Sequence, residues 1–316
     1  MKIVIDAHIP FVAEAVRKNW PQVDICPLKP EEIDADAVKE ADVLIVRTRT
    51  KVNEALLKGS KVQLVCTATI GFDHIDTAYC EANSIRWMSC PGCNAQAVCD
   101  YIEEALSEIS NLQSPISNTP TIGVVGVGHV GSLVAKMAER RGMKVLLNDP
   151  PKHIGVSLDF IAQNSDIITF HVPLDKSTYH ICDEAFLAKC KPGALIINAA
   201  RGGVVDEQAL LRSGHPYILD TWENEPDINA EVLQKAALAS MHIAGYSVEG
   251  KRNASQMCLD HIAESFHLPK ISNLQSPISN KKGDSAPGWI SRISASLKAH
   301  PTAFEVLRKS YPLREG

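Results

Sequence analysis

Thr121–Gly131 reads TIGVVGVGHVG, an apolar run that ends in Gly126, Gly128 and Gly131, and the next segment, GSLVAKMAERRG, has a helical period. The three glycines of that G-x-G-x-x-G frame do different things. The first permits a tight turn, the second lets backbone amides approach a pyrophosphate, and the third lets helix pack closely on strand. The frame alone is weak evidence. Here a second apolar run, KVLLND, follows and ends in Asp149, 23 residues after Gly126. A carboxylate at that place accepts hydrogen bonds from an adenosine ribose and repels a 2′-phosphate, so the pattern predicts a dinucleotide fold that takes NAD rather than NADP.

The same rhythm extends over most of the chain. Short Val-, Ile- and Leu-rich runs (KIVID, DVLIVR, QLVCTA, DIITFHV, ALIINAA, YILDT, MHIAG) alternate with segments of helical period. Most are apolar at consecutive positions, as strands covered on both faces are. The pattern predicts an α/β protein of two doubly wound parallel-sheet domains, one a Rossmann-type nucleotide domain and the other flavodoxin-like. AQAVCDYIEEALSEI and VEGKRNASQMCLDHIAESFHL read as long helices that carry the chain across and back, leaving a cleft of the kind that binds small molecules. The expected boundaries are 1–99 for a substrate-binding domain, 100–268 for the nucleotide domain with a crossing helix at each end, and 269–316 for a linker and a short C-terminal region.

Composition removes several classes of function. With 32 Lys plus Arg against 37 Asp plus Glu and no long basic run, nucleic acid is not an expected partner. The longest nearly uncharged apolar run, GALIINAA, is too short to cross a bilayer, and the opening MKIVIDAHIP meets Asp6 after three apolar residues. Neither a membrane span nor a signal peptide is expected. Nine scattered cysteines, an odd number, predict reduced thiols and a cytoplasmic setting. The Cys90–Cys93 pair has no second pair to complete a metal site, so none is expected. ISNLQSPISN occurs identically at 109–118 and 271–280, too short for a fold repeat, and its Ser, Asn and Pro content reads as loop. Nothing in the pattern explains the identity.

Chemistry is concentrated in three places after successive expected strands. NAARGGVVDE holds Arg201, DTWENEP holds Asp220, Glu223 and Glu225, and MHIAGYSVEGK holds His242. In an open parallel sheet the carboxyl ends of the strands share the edge where the cofactor lies, so these residues are expected to converge there. Removing hydride from a hydroxyl-bearing carbon requires a base for the hydroxyl proton, and histidine titrates in the right range. A carboxylate on its other nitrogen fixes the tautomer and stabilises the imidazolium. Arginine grips a substrate carboxylate with two parallel hydrogen bonds.

GVGHVG, NAARGGVVDE, ENEP and HIAG together resemble the D-2-hydroxyacid dehydrogenase family. The resemblance implies an NAD-dependent oxidoreductase with Arg201, Glu225 and His242 as its catalytic residues. It places Gly126, Gly128, Val130, Asp149, Ala199, Ala200, Arg201, Asp220 and Gly245 at the cofactor, with Asp220 near the nicotinamide amide. It places Thr48, Thr69 and Tyr246 at a small phosphorylated 2-hydroxy acid, and it implies a homodimer held by a C-terminal dimerisation region, here AFEVLRKSYPLRE, shorter than in such relatives. Two other readings stand beside it. One is a member acting on another D-2-hydroxy acid such as 3-phosphoglycerate, and the other is a non-catalytic NAD sensor, which would have no use for a proton acceptor.

Overall fold

A computed structural model describes residues 1–112, 119–272, 274 and 286–314, with two compact units. The first gathers Met1–Asn94 and Ser247–Lys281. Its sheet contains β1 (Lys2–Asp6), β2 (Asp24–Leu28), β3 (Val43–Val46), β4 (Leu64–Thr67) and β5 (Arg86–Met88), all parallel in the order β2-β1-β3-β4-β5. Alternate side chains serve two cores. Ile3, Ile5, Val43, Ile45, Leu64 and Cys66 meet the helices Val12–Asn19 and Val248–Phe266 on one face, while Val4, Leu44, Val46 and Val65 meet Val38, Leu56 and Leu57 on the other. Burial on both faces is the reason these strands are apolar throughout.

The second unit gathers Ala95–Tyr246 and the C-terminal helices. Its strands are β6 (Thr121–Val125), β7 (Lys144–Asp149), β8 (Ile154–Gly155), β9 (Ile167–Phe170), β10 (Leu195–Asn198), β11 (Tyr217–Leu219) and β12 (Leu238–Ala239). They run in the order β12-β11-β10-β9-β6-β7-β8. The order reverses between β6 and β9, and the glycine-rich turn follows β6 at that switch point, where doubly wound folds bind their ligands.

Four features differ from the reading of the sequence. The sheet of the second unit is not wholly parallel, because β8 pairs antiparallel with β7 at the edge. The last strand ends at Ala239, so MHIAG is loop: His242 has φ 58°, outside the range of a strand, and the Ile243 and Ala244 amides bond to Asp220 instead of a ladder. The helix Val248–Phe266, placed by its sequence position with the nucleotide domain, packs with the first unit through Ala254, Cys258, Leu259 and Ile262. The opening ISNL of the duplicated decapeptide ends the helix Ala95–Leu112 in its first copy, whereas Ile271 and Leu274 of the second lie outside any helix, buried in the first unit's core. Residues 113–118 and 275–280 of the two copies lie outside the described residues.

The C-terminal helices Trp289–Ala299 and Phe304–Ser310 join the core of the second unit through Trp289, Ile290, Leu297 and Phe304. Glu108 caps the first of them, accepting from the amides of Ile290 at 2.9 Å and Ser291 at 2.7 Å. The Ser294 hydroxyl accepts the Ala239 amide at 3.0 Å, covering the edge strand β12.

Candidate active site

Gly126 closes the turn after β6 with φ 88°, and a Cβ there would lie 2.7 Å from the His171 carbonyl oxygen. Only glycine fits both demands. Gly128 has no atom within 4 Å of where a Cβ would be, and it opens the helix His129–Arg140 with no side-chain cap on the first amides. Open space before uncapped amides is what a pyrophosphate needs. Val130 lies in that first turn. Asp149 ends β7, and its Oδ2 accepts the Val127 amide at 2.8 Å with Lys152 Nζ at 3.5 Å, so it also braces the glycine turn. These residues fit NAD.

Ala199 and Ala200 follow β10 and lead into Arg201. The buried Asn198 shapes this turn, accepting the Ala200 amide at 3.0 Å and donating to the Arg201 carbonyl at 2.8 Å. Gly202 then passes so close to the next strand's end that a Cβ would lie 1.9 Å from the Trp222 carbonyl oxygen. The chain is thereby fixed with Arg201 beside the Trp222–Glu225 segment.

His242 Nδ1 lies 2.9 Å from Glu225 Oε2, and the other carboxylate oxygen accepts the Trp222 amide at 2.9 Å. Burial pushes the Glu225 carboxyl up, but the His242 bond and charge, the Trp222 amide and Arg308 outweigh it and hold it below the usual carboxylate range. Arg201, Glu225 and His242 line one cavity of about 410 Å³ with Tyr179 and Glu223. A second histidine-acid pair lies beside it: His180 Nε2 bonds to Glu223, whose amide donates to the buried Glu207 at 2.7 Å. Burial pushes the Glu207 carboxyl up to about 7, with Glu223 and Glu225 adding to the shift.

Asp220 lies behind the loop that carries His242. It is 1% exposed, and its carboxylate accepts from Ser240 Oγ at 2.6 Å and from the amides of Ile243 at 2.8 Å and Ala244 at 2.9 Å. It holds the loop that carries His242 and, three residues on, Gly245. Tyr101 extends the network, its hydroxyl 2.8 Å from Ser240 Oγ. On the other side of the same loop, Arg314 donates to the Ile243 carbonyl at 3.4 Å and to that of Ala244. Sequence reasoning missed Ser240, Tyr101, Arg308 and Arg314, which carry no motif and become neighbours of the loop only through folding.

Thr48 and Thr69 belong to the first unit. Thr48 is exposed on the turn after β3. Thr69 follows β4, pairs with the Thr67 hydroxyl at 2.6 Å and donates to the Gly71 carbonyl at 2.8 Å. Tyr246, in the second unit, accepts from Arg308 Nε at 3.1 Å. All nine cysteines are free; Cys90 and Cys258 lie 3.8 Å apart in the first unit's core, and burial pushes Cys93 up to about 12. Among the described residues no cluster suited to a metal ion occurs, and no helix is long and apolar enough to cross a membrane.

Residues 105–244 match the model of the D-isomer specific 2-hydroxyacid dehydrogenase NAD-binding domain. The NAD-bound 3-phosphoglycerate dehydrogenase of Entamoeba histolytica superposes with a TM-score of 0.71 and 26% identity, over 86% of this chain and 98% of that one. The chain belongs to the D-2-hydroxyacid dehydrogenase family and is an NAD-dependent dehydrogenase. Within that family it is similar along nearly its whole length to erythronate-4-phosphate dehydrogenases. The one from Bacteroides fragilis is 43% identical over 99% of this chain and 97% of that protein, and the one from Porphyromonas gingivalis is 40% identical over 99% and 92%.

Proposed function

We propose that the protein oxidises 4-phospho-D-erythronate to 2-oxo-3-hydroxy-4-phosphobutanoate, with NAD as oxidant, in the synthesis of pyridoxal 5′-phosphate. The observation that carries this reading is the 2.9 Å contact between His242 and Glu225 on a cavity shared with Arg201. Bound NAD supplies the hydride acceptor. Arg201 binds the substrate carboxylate and orients C2. His242 Nε2 takes the C2 hydroxyl proton as the hydride departs, and Glu225 stabilises the imidazolium through Nδ1. The glycine turn after β6 and Asp149 hold the pyrophosphate and the ribose, with Val130, Ala199, Ala200 and Gly245 adding backbone and apolar contact to the cofactor. Asp220 acts through the loop that it pins. Thr48, Thr69 and Tyr246 serve the substrate phosphate, and similarity to the named relatives favours that substrate over other D-2-hydroxy acids. The homodimer implied by the family resemblance belongs to the same reading.

NADH formation with a panel of phosphorylated and unphosphorylated D-2-hydroxy acids tests the proposal. The highest kcat/KM is expected for 4-phospho-D-erythronate. A higher value for 3-phosphoglycerate would assign the protein to another branch of the family, and no turnover of any acid would leave an NAD-binding module.

A further inference from the structure

The helix Phe304–Ser310 brings a cation to the catalytic pair. Arg308 lies with its guanidinium 5.9 Å from the centre of the Tyr246 ring, and its Nε donates to the Tyr246 hydroxyl at 3.1 Å. Arginine has donors only, so the Tyr246 oxygen accepts and fixes the plane of the guanidinium. Nη1 is then placed 3.4 Å from Glu305 Oε1 and 4.0 Å from Glu225 Oε2, the same oxygen that faces His242 Nδ1. Only 26% of the Arg308 side chain is exposed, so its charge is not fully screened.

We propose that Arg308 is a positioning residue of the dehydrogenase reaction, holding Glu225 opposite His242 and balancing the carboxylate's charge, so that Glu225 pulls less strongly on the imidazole proton. A carboxylate hydrogen-bonded to imidazole favours the imidazolium, which cannot accept the substrate proton. A cation within 4.0 Å of that carboxylate opposes the effect. The pair also faces Arg201 on the cavity wall, Glu223 with its partner His180, the buried Glu207, and Glu305 beside Arg308. Three of these are carboxylates. Without Arg308 the local balance is acidic, and the histidine keeps its proton to higher pH.

The inference rests on the reading of His242 as the base, but its test requires no substrate. The His242 imidazole is followed by NMR titration in the full-length protein with NAD bound, using the loss of its signal in His242→Gln for assignment. Arg308→Leu is expected to move the titration of the His242 signal to higher pH, because the carboxylate it faces is then unopposed. Arg308→Lys, which restores the charge without the planar fork, is expected to return it toward the parent protein's position. With substrate, the acid limb of kcat/KM should move up by the same amount in the Leu variant. An unchanged titration in Arg308→Leu overturns the proposal. So does a shift in Arg308→Lys as large as that in Arg308→Leu, because packing rather than charge would then be responsible. Arg308→Gln supplies the same charge comparison should the Leu variant fail to bind NAD. If no hydroxy acid is oxidised, the proposed function fails while the titration still decides the role of Arg308.

Discussion

Glu225→Gln tests the proton relay at the atoms that carry it. The Trp222 amide points at Glu225 Oε1 from 2.9 Å and can only donate, so in the variant the carboxamide oxygen remains there and the NH2 turns toward His242 Nδ1. Nδ1 must then accept, which puts the imidazole proton on Nε2, the nitrogen left for the substrate. The base is thus presented in the wrong tautomer, and its imidazolium has lost a counter-charge. Two unit charges about 4 Å apart at an effective dielectric of about 20 interact by about 4 kcal/mol, which is a ceiling of about three pKa units. Both side chains are partly exposed, at 31% and 19%, and solvent screening keeps the effect below that ceiling. Tautomer and charge together should lower kcat roughly a thousandfold. The assay is the pH profile of kcat/KM for oxidation, with NAD affinity measured separately by calorimetry. The acid limb should move down and NAD affinity should stay. An unmoved limb removes Glu225 from the relay, and NAD affinity falling in step with activity makes the pair structural.

Asp149→Ala should weaken NAD and narrow the preference for NAD over NADP, because the ribose contact and the repulsion of a 2′-phosphate disappear together with the brace on the Val127 amide; equal losses for both cofactors would reduce Asp149 to that brace alone. The raised Glu207 pKa, about 7 against 4.5 when exposed, means that the folded state binds more protons than the unfolded chain between these values, so its contribution to stability falls as pH rises through that window. Glu207→Gln should therefore gain stability above pH 7 relative to pH 5, on the order of 3 kcal/mol, in denaturant unfolding at the two pH values; parallel pH profiles for the two proteins would refute it. The combined change Thr48→Val, Thr69→Val and Tyr246→Phe should raise KM for 4-phospho-D-erythronate sharply and leave an unphosphorylated hydroxy acid little affected, whereas equal damage to both would mean that these hydroxyls serve the backbone, as Thr69 already serves Gly71.

Strands were legible where burial on both faces leaves little room for a polar side chain. β3, β4, β9 and β10 are buried at every position, and their runs are apolar but for Thr67, Thr169 and Asn198. β2 and β5 are edge strands of the first sheet, and neither reads that way: DICPL contains Pro27, whose missing N–H an edge strand tolerates, and RWM begins with an exposed arginine. MHIAG shows the opposite error. Its Met241, Ile243 and Ala244 are as buried as a strand's residues, but the amides and carbonyls of Ile243 and Ala244 are bonded by side chains, a possibility that hydrophobic pattern does not encode. The decapeptide's ISNL makes the same point: its first copy ends the helix Ala95–Leu112, whereas Ile271 and Leu274 of the second lie outside any helix.

That Arg201, Glu225 and His242 would lie together was legible because each follows a strand of the second sheet, but what holds His242 in place was not. His242 adopts φ 58°, a conformation that costs a branched or ring-bearing residue energy unless its surroundings enforce it. Enforcement comes from both sides of the next two peptides: Asp220 accepts their N–H groups, and Arg314 donates to their carbonyls. Arg314 is itself only 7% exposed and stacks 4.7 Å over Trp289, while its Nη1 has no hydrogen-bond partner among the described residues. A buried guanidinium must find acceptors to offset its lost hydration, and the loop carbonyls of Ile243 and Ala244 supply two of them. The C-terminal segment, outside the glycine turn and the three strand-end motifs, thereby reaches the His242–Glu225 pair twice, through Arg314 at the backbone next to His242 and through Arg308 at the Glu225 carboxylate.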